Sequence, residues 1–353
     1  MARLKRGVAL FTATPEERYI CGTRKSALPL ESPHERSQLV ALAAHAPATQ
    51  LSPRLRTQLA EYGLIDTAEE RLTLTHRYST KSEQSDAAFQ QLRARLAPEL
   101  AQATWLPDVS DGGVSIVSAR QNFLIEISGA NRVATLLFSL LLASGVTQVR
   151  YAPTSEAAHV RIGDTDIGVA GITPQHIGAP RAKERESHRA EFSLFPLDKS
   201  AHYLDEASTP DLAIHCGEMD PQRYAQWMMS GQPFLHIATP LADTAQIGPL
   251  VIPGKTPCLR CAELTQQEQT GLNYSQALKL SPSDDYPMVA AHYVAALAAQ
   301  MALSWCDSIT QSAQKKSADL GATGVAIICD YQSLATPQRV ALTRHPLCGC
   351  AFH

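Results

Sequence analysis

The stretch NFLIEISGANRVATLLFSLLLASGVTQVRYAP, residues 122–153, decides the fold of this 353-residue chain. Residues 123–127 predict a buried strand, and Gly129 predicts a tight turn directly after it. Residues 133–144 predict an apolar helix, and residues 146–151 predict a second strand. This order of elements is the first βαβ unit of a doubly wound, Rossmann-like α/β sheet.

Two later segments continue the same pattern. DLAIHC (211–216) and PFLHIA (233–238) are typical of further buried strands, and residues 221–230 predict the helix that connects them.

The turn after the first strand departs from the dinucleotide fingerprint. Against the pattern G-x-G-x-x-[GA], the chain offers Gly129, Asn131 and Ala134. The middle glycine normally lets the backbone approach a pyrophosphate, whereas Asn131 places a side chain there. An acidic residue for the ribose should follow the second strand, but the chain continues through Tyr151 and the first carboxylate is Glu156. We therefore expect this degenerate turn not to bind a nucleotide such as ATP.

The eight cysteines fall into two classes. Cys21, Cys216, Cys306 and Cys329 stand alone in apolar surroundings, which is typical of small buried side chains. The other four form two close pairs, which are Cys258 with Cys261 and Cys348 with Cys350.

The two pairs predict a metal site. A disulfide between Cys348 and Cys350 would close a strained ring, whereas two thiolate pairs complete a tetrahedron around zinc. A closed site of four thiolates has no open position, so the zinc would be structural. The pairs lie much farther apart than in a zinc ribbon, so the metal would connect the end of the chain to its middle. A redox CxxC and unrelated free thiols are the alternatives.

Composition excludes several classes of protein. A net charge of -3 and a pI near 6.5 argue against nucleic acid as a partner. The first residues lack the pattern of a signal peptide, so we expect a cytoplasmic location. Residues 287–306 approach the length of a membrane span, but they contain His292 and Gln300 and are rich in alanine. They predict a core helix or a homodimer surface, without membrane contact.

Four motifs together resemble a known superfamily. They are SGANRV with LLLASGV, DIGVAGITPQHIGAPRA (166–182), IGPLVIPGKTPCLRC (247–261) and HPLCGC (345–350). The chain from 115 to 353 resembles the ThiF-like, ubiquitin-activating-enzyme-like superfamily. More narrowly, it is similar to the bacteriocin branch that binds leader peptides for azoline-forming cyclodehydratases.

The resemblance also shows what this chain lacks. Adenylating members bind ATP at the glycine turn, carry an acid after the second strand and hold magnesium with an aspartate after the strand corresponding to 211–216. Here Glu218 and Asp220 are the nearest acids to the magnesium position, and Arg181 or Lys183 would be the phosphate contact. This chain departs from that pattern at the glycine turn, at the acid after the second strand and at the magnesium-binding aspartate. Together the three departures indicate that adenylation has been lost, because ATP positioning and charge neutralisation are central to that chemistry.

The bacteriocin branch implies a small domain before the ThiF-like one. Residues 6–30 alternate as three short strands, and 34–46 and 52–66 predict helices. We predict a winged-helix-like (α+β) peptide-recognition domain over 1–75. A linker and helix would follow over 76–114, including an amphipathic helix at 87–105, with the ThiF-like domain over 115–353.

A peptide can bind such a domain by adding a strand to an open sheet edge. The predicted contacts are the edge strand 26–30 and one face of the second helix. They are Ser26, Ala27, Leu28, Pro29, Leu30, Leu55, Leu59 and Tyr62. The helix residues also suit a hydrophobic core.

The expected function is that of a scaffold without catalytic residues, which delivers a ribosomal precursor peptide to a separate YcaO-type, ATP-dependent cyclodehydratase. The alternative is a divergent ATP-dependent adenylating enzyme that acts on a peptide. A nicotinamide oxidoreductase is disfavoured because the acid that would hold the ribose is absent.

Overall fold

The computed structural model divides the chain into two compact units. The first contains residues 1–75 and 79–119, and the second contains 120–353 together with 76–78. The helices of residues 86–103, which lie in the predicted linker and helix region 76–114, group with the first unit, as do residues 115–119, which we predicted within the ThiF-like domain. The structure describes residues 3–12, 18–23, 26–44, 51–67, 86–152, 160–181, 183–184, 208–241, 243–272, 285–315, 323–332 and 336–350.

The first unit contains two small antiparallel sheets and five helices among its described residues. One sheet pairs β1 with β5, and the other has the order β2-β3-β4. The strands are β1 (Arg3–Leu4), β2 (Ala9–Thr12), β3 (Arg18–Thr23), β4 (Ser26–Leu30) and β5 (Ile65–Asp66). The helices are α1 (Pro33–Ala43), α2 (Pro53–Glu61), α3 (Asp86–Arg95), α4 (Ala97–Ala103) and α5 (Val114–Ala119).

Two predicted helices end earlier than expected. The helix predicted over 52–66 stops at Glu61, because Gly63 adopts a positive φ of 62° and residues 65–66 pair with β1. The helix predicted over 87–105 breaks at Leu96 into α3 and α4. Pro98 lies in the first turn of α4, where its missing N–H costs no hydrogen bond.

The second unit is built on a seven-stranded mixed sheet of order β12-β11-β10-β9-β8-β6-β7. Strands β6 to β9 run parallel, and β10 to β12 extend the sheet in antiparallel fashion. The strands are β6 (Leu124–Ser128), β7 (Gln148–Tyr151), β8 (Leu212–Cys216), β9 (Phe234–Ile237), β10 (Thr244–Val251), β11 (Val325–Asp330) and β12 (Gln338–Ala341). The helices are α6 (Arg132–Ala143), α7 (Pro221–Ser230), α8 (Leu259–Thr270) and α9 (Met288–Lys315).

The Rossmann-like prediction is confirmed by this sheet. The parallel strands lie in the order β7-β6-β8-β9, so the chain changes direction across the sheet between β6 and β8. In open α/β sheets, the carboxyl ends of the strands at such a switch point form the usual ligand crevice. Gly129 lies at this point, and a Cβ there would approach the Cys216 carbonyl oxygen to 2.1 Å. Glycine is therefore required for the turn to pass the end of β8.

Helix α9 packs in the core of the second unit. By length and composition, Met288–Ser312 could cross a membrane. However, Ala291, Val294 and Ala298 are fully buried against α6 and the sheet. The apolar character of α9 is thus explained by core packing.

Candidate functional site

The four paired cysteines come together in one cluster whose geometry could hold a metal ion. The Sγ atom of Cys258 lies 3.8 Å from that of Cys261 and 3.3 Å from that of Cys348, and Cys261 lies 3.3 Å from Cys350. All four sulfurs lie within 4.8 Å of one another. Sulfurs around a tetrahedral zinc with bonds of about 2.3 Å are roughly 3.8 Å apart. The donor set therefore fits a closed tetrathiolate site.

The surroundings of the cluster orient the sulfurs. Cys258 is the residue before α8, so the first pair lies at the start of that helix. The backbone N–H of His345 donates to the Cys261 sulfur at 3.4 Å, and His345 Nδ1 accepts from the N–H of Leu347 at 3.2 Å. His345 thus holds the turn that carries the second pair.

Two of the four thiols have raised pKa values in the metal-free cluster. Burial raises the pKa of Cys350 to about 11, and it also raises the pKa of Cys348. Burial, followed by a hydrogen bond to Cys258, raises the pKa of the Tyr224 phenol. Four thiolates at this spacing repel one another, and a divalent cation removes that repulsion.

Side chains of the second unit contact the first turn of α6, beside the glycine turn at the carboxyl end of β6. Asn131 is the N-cap of α6, and its Oδ1 accepts from the N–H of Ala134 at 3.0 Å. At the end of β7, the Tyr151 ring stacks on Phe138 at 4.7 Å between centroids. The Tyr151 hydroxyl donates to the Ala134 carbonyl at 3.2 Å. Side chains therefore bond to the first turn of α6.

The carboxylates of Asp285 and Asp166 lie beside two arginines near this turn, Arg132 and Arg181. Asp285 accepts from the backbone N–H of Arg132 at 3.1 and 3.3 Å. Asp166 pairs with Arg181 at 2.7 Å, and both side chains are almost completely buried. Of the two basic residues considered for phosphate, Arg181 thus has an internal partner, whereas Lys183 is exposed.

The acids considered for magnesium have other roles here. Asp220 is the N-cap of α7 and accepts from the N–H groups of Gln222 and Arg223. The backbone carbonyl of Glu218 interacts with His215 Nε2 at 2.7 Å. Glu156, the first acid after β7, lies outside the described residues.

A row of polar side chains crosses the ends of three parallel strands. Ser128, His215 and His236 are neighbours in register on β6, β8 and β9. The Ser128 hydroxyl lies 2.8 Å from His215 Nδ1, and His236 Nε2 donates to the Gly217 carbonyl at 2.9 Å. Burial lowers the pKa of His236 to about 4, so the ring is neutral at pH 7. Internal partners satisfy these groups.

The sequence did not predict Asp285 or this histidine row as parts of the site. Asp285 lies just before the helix predicted over 287–306, and no role in the site was assigned to it from the sequence. The row could have been anticipated, because adjacent parallel strands bring equivalent end positions together.

The predicted peptide contacts divide into buried and exposed residues. Leu28, Leu30, Leu55 and Leu59 lie in the core of the first unit. Pro29 and Tyr62 are exposed, and the side chains of Ser26 and Ala27 lie outside the description. Strand β4 is an edge strand of its sheet, since it pairs only with β3 among the described strands.

Comparison with known proteins identifies the fold. No protein-family model matches the chain, and no curated protein sequence matches it. Among solved structures, E. coli MccB with MccA-N7isoAsn has a TM-score of 0.64 and 15% identity, with 100% of this chain and 99% of that chain covered. The chain has the ThiF-like fold.

Two other solved structures extend the comparison. E. coli MccB with ATP gives a TM-score of 0.63 at 15% identity, and 99% of each chain is covered. A heterocyclase in complex with substrate and cofactor gives 0.52 at 14% identity, with 99% of this chain but 39% of that chain covered. The likeness to MccB thus includes the first unit as well as the second.

Proposed function

We propose that this chain binds the leader of a ribosomally made precursor peptide in the cytoplasm. It would deliver the core of that peptide to a separate YcaO-type, ATP-dependent cyclodehydratase, which forms thiazolines or oxazolines. The observation that supports this most is the likeness, over the whole chain, to a protein solved with a peptide, MccA. A scaffold raises the local concentration of substrate at a tethered enzyme without performing chemistry itself.

The first unit supplies a candidate peptide site at β4, within what we propose is a winged-helix-like domain. Backbone groups of alternate residues face alternate edges of a strand. Pro29 has no N–H, and the N–H of Glu31 donates to Glu35 Oε2 at 2.7 Å. The backbone N–H groups of these two residues therefore do not donate to β3. We assign the backbone groups of residues 27, 29 and 31 to the edge of β4 that faces away from β3. An added strand would bond to both backbone groups of Ala27 and to the carbonyl of Pro29.

The proposed contact set is smaller than the one predicted from sequence. Leu55 is 1% exposed and Leu59 is fully buried, so they would support the site from beneath. Tyr62, which is 42% exposed at the end of α2, is the helix residue able to contact a peptide directly.

We further propose zinc as the metal of the four-cysteine cluster. Thiolates prefer soft and borderline cations, and a closed set of four sulfurs is typical of structural zinc. The ion would hold the segment at 345–350 against α8.

A second candidate is an adenylating enzyme, because E. coli MccB has been solved with ATP. The contacts of Asp285 and Tyr151 with the first turn of α6 favour the scaffold. Calorimetry with magnesium and ATP separates the two, since tight magnesium-dependent binding by the wild-type chain would support the enzyme.

The peptide proposal is tested by fluorescence anisotropy with the full chain. The probes are labelled N-terminal halves of any short peptides that the reading frames beside the gene are found to encode. We expect Ala27→Pro and Tyr62→Ala to weaken binding, whereas Phe11→Ala, on the opposite edge strand β2, should leave it unchanged. Unchanged affinity in both of the first two variants would exclude the β4 site.

A further inference from the structure

The carboxylate of Asp285 lies at the start of α6, although the two segments are far apart in sequence. Both of its oxygens accept from the backbone N–H of Arg132, and Oδ1 also accepts from the N–H of Tyr286. The first amides of a helix lack intrahelical partners and carry partial positive charge, so they favour an anion. Asp285 provides that anion internally.

The guanidinium of Arg132 holds the same segment in place. Its Nη1 donates to the Tyr286 carbonyl at 2.7 Å, and Nη2 donates to the Thr165 carbonyl. Its Nε lies 3.9 Å from the Asp285 carboxylate. The side chain and backbone of Arg132 thus both bind residues 285–286.

A second cation lies at the first turn of α6. Arg181 is 4% exposed, and its Nη1 lies 3.4 Å from the Thr135 hydroxyl. Its Nη2 donates to Asp166, while its buried Nε has no hydrogen-bond partner among the described residues. A buried guanidinium with an unused donor is costly, and an oxyanion would satisfy it.

We propose that Asp285 is an internal competitor for an anion position at the start of α6. The position combines the Arg132 amide with the Arg132 and Arg181 guanidinium groups, and it suits the phosphate oxygens of a nucleotide or of pyrophosphate. The Asp285 carboxylate satisfies the amide and repels a second anion. This deepens the proposed function, on which it rests, because it names the residue that keeps the turn closed to phosphate.

The test measures pyrophosphate binding by titration calorimetry with the full chain. Asp285→Ala removes the carboxylate, and Asp285→Asn removes its charge while keeping the shape. We expect the alanine variant to bind about 10- to 30-fold more tightly than wild type, since a charge at a helix N-terminus contributes up to about 2 kcal/mol. Asp111→Asn is the matched control, because Asp111 also accepts backbone amides but lies in the first unit. It should leave binding unchanged.

Each outcome is decisive when circular dichroism shows that the variants are folded. If Asp285→Ala is unfolded, the asparagine variant carries the test and should also gain affinity. If the folded Asp285 variants bind pyrophosphate no more tightly than the wild type, the proposal is overturned, while the leader-binding function stands. Wild-type protein that binds pyrophosphate and magnesium-ATP as tightly as the variants would overturn both.

Discussion

Loss of one cysteine from the metal cluster should destabilise the second unit strongly. We choose Cys348→Ser because Cys348 is only half-buried, so the substitution creates little cavity. A metal bridge between Cys258 and Cys348 closes a loop across 90 positions. Treated as a cross-link, a loop of that length restricts the unfolded chain by about 4.5 kcal/mol. With Cys348 absent, we expect the three remaining cysteines to release the metal, and the stability then to fall by an amount approaching that value.

The assay is urea unfolding followed by the fluorescence of Trp227, which packs against the cluster. Metal content is measured on the same samples by mass spectrometry, with about one zinc per chain expected in the wild type. Removal of the metal with a strong chelator should lower the stability of the wild type towards that of the variant.

Cys329→Ala is the control, because it removes a buried thiol outside the cluster and should leave the metal content unchanged. The reasoning would be refuted by wild-type protein without metal, or by Cys348→Ser unfolding at the wild-type urea concentration.

Three further predictions concern the second unit. The pKa of His236 is about 4 in the folded protein and about 6.5 in the unfolded chain. Because only the unfolded chain takes up a proton between these values, the free energy of unfolding should fall as the pH drops from about 6.5 to 4. The slope is at most about 1.4 kcal/mol per pH unit. His236→Asn should flatten that part of the pH profile in thermal melts. Asp307→Ala leaves the buried Arg120, bonded at 2.8 and 2.9 Å, without its carboxylate and should cost about 3–5 kcal/mol in urea unfolding. A loss below about 1 kcal/mol would contradict this. Gly129→Ala should destabilise the second unit by several kcal/mol, about as much as a core truncation, because the new Cβ would collide with the Cys216 carbonyl. A melting temperature equal to that of the wild type would contradict this turn geometry.

Local sequence patterns were enough to predict the secondary-structure elements of the second unit's first βαβ segment and the four-cysteine cluster. Strands, turns and helices between 122 and 151 follow from hydrophobic periodicity and from glycine, which act over about ten residues. The four cysteines were identifiable because paired thiols at close spacing have few other uses. These patterns involve residues close together in sequence, so they can be recognised without knowledge of the tertiary structure.

The contacts at the start of α6 depend on tertiary packing. Asp285 meets Arg132 across 153 positions, and that contact depends on where α9 begins relative to the sheet. The burial of Leu55 and Leu59 likewise depends on packing against β4, since an apolar helix face suits either a core or a groove. Strand order and helix placement bring together polar groups that are distant in sequence. The hydrophobic periodicity of a single segment cannot predict such contacts.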